Sequence, residues 1–165
     1  MLDTIRQWLA GVPGETTQKA IRIPLSAVGD RLSSQAVTTA GLVITAAAGT
    51  VAKIGGAAFN AVVKGMPVSI VAGTPMPALI GTIPISMIGI FCFFVDTAGN
   101  LTSLMGVPGA TLQQTKFPNF PEGKALVGYL IVTATSQFTG GTTALDAVTT
   151  FYVSPTGALD PSLLV

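Results

Sequence analysis

The chain has 165 residues, 49% of them apolar, and carries eight Lys or Arg against seven Asp or Glu with no histidine. That length fits one domain able to bury its own core, and the near-zero net charge argues against the clustered cationic footprint of a nucleic-acid binder. Without histidine, Ser/His/Asp and Cys/His nucleophilic systems are impossible.

In chain order, residues 2–10 read as a short amphipathic helix. Leu2, Ile5, Trp8 and Leu9 share one face, Asp3 suits the helix start, and Gly11, Pro13 and Gly14 stop it. Its opening acid and short, interrupted apolar stretch do not match a signal peptide. Thr16–Leu32 is the most charged part and reads as an extended arm, with a β segment at Lys19–Leu25. Residues 1–34 are therefore assigned to an N-terminal arm and 35–165 to a β-domain. Within the latter, Gly41–Thr45 and Thr50–Ile54 read as a hairpin across Ala46–Gly49. Phe59–Lys64 and Pro67–Ala72 flank a turn at Gly65-Met66. Ile83–Val95 holds one or two strands, Asp96–Asn100 is a turn, and Leu101–Met105 begins the return strand. Phe117–Pro121 is a rigid connector, because each residue before a proline avoids the α region. Ala125–Thr135 is the clearest strand, Ser136–Ala144 is a loop around Gly140-Gly141, and Val148–Val153 is the last strand before a turn at Pro155-Thr156-Gly157. Short strands at this spacing predict an all-β fold, a sandwich or small barrel of antiparallel strands with an N-terminal helix and arm.

The charges are unevenly placed. Asp3, Arg6, Glu15, Lys19, Arg22, Asp30 and Arg31 fall in the first 31 residues, and only eight charges follow in the rest. Ordinary soluble domains carry about 25% charged residues, so the surface of the body suits coverage by lipid, partner subunits or a larger assembly. The membrane alternative rests on Gly65–Val95, which has no charge, and on Ala78–Val95, which is long enough to span a bilayer. Against it, Pro67, Pro75, Pro77 and Pro84 interrupt the run, and Gly65, Gly73, Gly81 and Gly89 recur at every eighth position, which suits strands and turns.

Candidate chemistry is sparse. Cys92 has no metal-ligand companions and no basic neighbour, so it reads as a core hydrophobe. Asp96, Glu122, Asp146 and Asp160 are the carboxylates available to the β-domain, and three of them sit beside Gly- or Pro-bearing turns. Phosphate-loop, dinucleotide and EF-hand spacings are absent, and Asn100-Leu101-Thr102, though a glycosylation sequon, reads as a turn leaving a strand. The expectation is a non-enzyme without cofactor or metal. Small Thr, Ala, Ser and Gly side chains dominate outside the core, and they lose little entropy when buried against another protein.

Ala52–Leu79, Phe93–Ser103, Phe120–Ala147 and Phe151–Leu163 together resemble a family of small virion structural proteins of tailed bacteriophages. The most specific piece runs from Pro121 through Gly123-Lys124-Ala125-Leu126-Val127-Gly128-Tyr129-Leu130-Ile131-Val132 and is followed by a glycine-rich loop and Thr142-Thr143-Ala144-Leu145-Asp146. The resemblance implies a decoration or cement protein on the capsid exterior, with the major capsid protein as partner and a homotrimer as the assembled form. It carries over no site residues. From the residues themselves, Leu2–Arg31 is the candidate docking arm. Ile5, Trp8 and Leu9 would be its apolar anchors, and Lys19, Arg22 and Arg31 would pair with capsid carboxylates. Trp8 could equally fold back on its own domain. Two alternatives stay open: a fibre or tail module that recognises a host surface, and a membrane protein inserted through residues 78–95, a run more apolar than the family pattern leads one to expect.

Overall fold

The computed structural model describes Gly29 and residues 32–157. The expected helix at 2–10 and the β segment Lys19–Leu25 lie outside those residues. The described chain is mostly β and has eleven strands. They are β1 (Gln35–Ala36), β2 (Val43–Ile44), β3 (Ala52–Lys53), β4 (Phe59–Val63), β5 (Met66–Ile70), β6 (Thr82–Ile83), β7 (Met87–Val95), β8 (Leu101–Met105), β9 (Ala125–Ala134), β10 (Phe138–Thr139) and β11 (Thr149–Val153). They form a four-stranded sheet ordered β11-β9-β7-β8, a three-stranded sheet ordered β1-β4-β5, and the pairs β2-β3 and β10-β6. Every one of these pairings is antiparallel.

β7 explains the apolar run. It lies inside the four-stranded sheet between β9 and β8, and its side chains alternate between two covered faces. Phe91, Phe93 and Val95 enter the main core, while Ile90, Cys92 and Phe94 enter a second cluster on the opposite face. A strand covered on both sides needs no polar alternation, so its sequence alone does not separate it from a membrane span. Among the described residues, no helix is long and apolar enough to cross a membrane.

The main core joins the two larger sheets. Phe59, Ala61 and Val63 of β4 and Val68 and Ile70 of β5 meet Phe91, Phe93, Leu130 and Val132 of the four-stranded sheet. Phe138 closes the same cluster, with its ring 5.9 Å from that of Phe91. β9 carries a bulge, because Phe93 pairs with Gly128 whereas Phe94 pairs with Leu126. The extra residue, Val127, is buried in the main core, and beyond it Tyr129 and Ile131 serve the second cluster. A bulge of this kind locally redirects the strand while preserving both covered faces.

The hairpins follow their turn chemistry. Val63 pairs with Met66, so the loop between β4 and β5 is Lys64-Gly65, one residue earlier than the sequence suggested. Both loop residues have positive φ, 50° and 75°, as a two-residue type I′ hairpin requires. At Asp96–Asn100 the Asp96 carboxylate accepts bonds from the Ala98 and Asn100 amides, each at 2.9 Å, and from the Asn100 side chain at 3.0 Å. The segment Ser136–Ala144 differs from the expected loop. Phe138 and Thr139 pair with Ile83 and Thr82, and the Gly140 amide donates to the Gly81 carbonyl at 2.9 Å.

Candidate assembly surface

The second cluster defines the outer face of the four-stranded sheet. Ile90, Cys92, Phe94 and Tyr129 form its buried floor, with Leu126, Ile131 and Val153 half-buried around them. The cover comes from the connector between β8 and β9. Phe117 stands edge-on to Tyr129 at 5.2 Å between centroids, and Phe120 edge-on to Phe94 at 5.0 Å. The connector is held down by a bridge in which Val107 and Lys116 exchange backbone bonds of 2.9 and 3.0 Å. Gly106 makes that approach possible, because a methyl group there would overlap the Lys116 carbonyl oxygen.

This cover is incomplete toward β11. Phe151 pairs with Ile131 and shares its face, yet 59% of Phe151 is exposed. Elsewhere Ile80, Val71 and Ile85 are exposed as well, Ile80 at 76%. Scattered apolar side chains are ordinary on any surface. Here they stand among very few charges: from Ala125 to Gly157 the one charged residue is Asp146.

The three long edge strands differ. β5 contains exposed Pro67, which lacks an amide donor and blunts the edge. β8 meets the segment Ala78–Gly81 through its side chains: the Ser103 hydroxyl donates to the Ala78 carbonyl at 2.9 Å, and a methyl at Gly81 would meet the Met105 sulfur. β11 is Thr-Thr-Phe-Tyr-Val, with no proline, no charge and no bulge against β9. Its edge is closed just past Val153, where Thr39 donates to the Ser154 carbonyl at 3.1 Å and the Leu42 amide to the Ser154 hydroxyl at 3.0 Å.

The sequence-derived docking residues Ile5, Trp8, Leu9, Lys19, Arg22 and Arg31 all lie outside the described residues. The structure places the other candidate groups apart. Cys92 is free and buried, and burial pushes its thiol well above the usual range. Asp96 organises its own turn, and its hydrogen bonds with Asn100 hold the carboxyl below the usual carboxylate value. Asp146 accepts from the Ala48 amide at 2.7 Å and ties the β2–β3 loop to the segment before β11. No group of three or more His, Cys, Asp or Glu side chains that could hold a metal occurs among the described residues. The exposure of Phe151 escaped the sequence reading. The signal for it was an uncharged final strand, but exposure depends on sheet order, which local pattern does not encode. Comparison with protein-family models, curated proteins and solved structures finds no match to this chain.

Proposed function

We propose that this chain is a non-enzymatic virion structural protein of the capsid decoration or cement kind, which binds the outer surface of a phage capsid and stabilises it by burying apolar and small polar surface. The observation that supports this reading is the exposed set Val71, Ile80, Ile85 and Phe151 on a body with few charges. Fully burying a side chain of this size is worth about 1.5–3 kcal/mol before association costs. Several such contacts, repeated over many copies, bind without chemistry. The surface offers little charge that would have to be stripped of water. The resemblance to small phage virion proteins supplies the partner class, the major capsid protein, and a self-associated form. The fibre reading needs exposed aromatics at loop tips. Phe138, the one aromatic of the 136–144 loop, is instead buried in the core, which favours the capsid reading.

The test is to mix purified full-length chain with capsids that lack small outer proteins and to measure bound chain per capsid subunit by sedimentation. Saturation at a fixed ratio, with a raised capsid disruption temperature, is expected. Deleting residues 1–31 is expected to abolish binding if those residues dock. Absence of saturable binding by the full chain contradicts the reading.

A further inference from the structure

The outer face of the four-stranded sheet is only partly roofed. Directly opposed residues share a face, so Leu104, Cys92, Tyr129 and Val153 form one row across it, and Ile90, Ile131 and Phe151 a second. Phe117 and Phe120 roof its centre, over Tyr129 and Phe94. Toward β11, Ile131 and Val153 are half-buried and Phe151 is exposed.

The way the chain enters the body points to the occupant. The Ser33 carbonyl accepts from the Gly65 amide, and the Ser34 hydroxyl from the Lys64 amide, both at 3.0 Å. The Lys64 side chain in turn packs against Gly123, at the end of the connector that roofs the outer face. The segment before Leu32 therefore joins the body beside that roof. It is long enough to cross the face: the 25 residue steps from Ser33 to Trp8 reach roughly 80 Å when extended, against a four-stranded sheet about 15 Å wide and 30 Å long. Its composition fits too. Ile5, Trp8 and Leu9 supply an apolar stripe, and the seven charged residues before Leu32 supply the solvated exterior that the strands lack. The exposed apolar positions Val71, Ile80 and Ile85 of a second copy bring no such charge.

We propose that in the free chain the N-terminal segment folds back on its own body, setting Ile5, Trp8 and Leu9 against Phe151, Ile131 and Val153. The arm then completes the roof that Phe117 and Phe120 begin, and it turns its charges to water. Val71, Ile80 and Ile85 are left open to partners. Docking of the arm on a capsid requires its release from this face, so the contact holds the arm back until a partner competes for it. The inference stands apart from the decoration reading: a chain that makes this contact but leaves capsids bare contradicts decoration alone, and a chain that saturates capsids without making it contradicts the contact alone.

Trp8 is the only tryptophan, so its fluorescence reads the contact in the full chain. Blue-shifted emission and protection from acrylamide are expected without any partner and at every protein concentration. Phe151→Lys, at an exposed site, is expected to red-shift the emission and abolish the protection. Leu9→Lys, on the arm's side of the contact, does the same without altering the body. Val71→Lys, at another exposed apolar position, changes neither. Four results would each overturn the proposal: a Trp8 as open to acrylamide in the native chain as in urea, protection indifferent to Phe151→Lys, protection that grows with concentration and so belongs to a second copy, or protection that arises only when capsids are added.

Discussion

Replacing Gly106 with alanine is expected to destabilise this protein, although the same change at most permissive glycines does the opposite. The φ of Gly106 is not in the left-handed region, so alanine meets no backbone strain, and reducing the freedom of the unfolded chain should stabilise by about 0.4–1 kcal/mol. The structure reverses that sign. The new methyl would overlap the Lys116 carbonyl oxygen and approach the Phe117 carbonyl carbon at 3.2 Å, both backbone atoms that cannot swing aside. Moving them breaks the paired Val107–Lys116 backbone bonds, each worth about 1 kcal/mol net. It also lifts Phe117 from Tyr129, an edge-on contact worth about 0.5–1.5 kcal/mol. The expected net cost is about 2–3 kcal/mol. Gly56→Ala is the matched control, since a methyl there meets nothing within 4 Å and φ is ordinary. Urea denaturation of the two variants and the parent gives the comparison. Cys92, under the same cover, should react faster with a thiol reagent in Gly106→Ala. A Gly106→Ala protein as stable as Gly56→Ala would refute the reasoning that the connector seals the outer face.

Three further outcomes follow from the same contacts. Lys64→Asn should raise stability by about 1 kcal/mol in chemical denaturation, because Asn tolerates the left-handed conformation that Lys64 adopts at φ 50°. Because the carboxyl of Asp96 is held below its usual value in the folded turn, its contribution is present above the unfolded pKa of about 3.9 and is lost as pH falls through the folded value. The stability gap between the parent and Asp96→Asn should therefore narrow on acidification below that range, and a gap that is constant with pH would count against the turn's role. In the native protein, Cys92 should react with a thiol reagent only at the rate of opening or unfolding; prompt labelling without denaturant would contradict its burial.

The strands flanked by turn chemistry were legible in the sequence. Asp96–Asn100 marked the β7–β8 turn because Asp and Gly suit it for local reasons, and Ala125–Thr135 and Val148–Val153 carried enough β-branched and aromatic residues to stand alone. β10 was not legible. Phe138-Thr139 is too short for a pattern, and its pairing with β6 depends on tertiary approach, with Gly140 packed against the Leu79 backbone. The bulge at Val127 was hidden for a related reason, since only the partner strand reveals two residues opposite one. Ile83–Val95 stayed ambiguous because burial on both faces erases the period-2 signal. The assembly surface was the least legible part. Whether Phe151 is covered depends on which strand becomes an edge and how far Phe117 reaches, and neither is encoded near residue 151.

We propose that a surface this poor in charge is covered by other protein in the assembled state. The most direct test of this is the ratio of bound chain to capsid subunit when the full chain is added to bare capsids. Saturation at one fixed ratio, little weakened by moderate salt, is expected, since few charges are available to be screened. Binding that never saturates, that disappears at moderate salt, or that does not occur at all would contradict it.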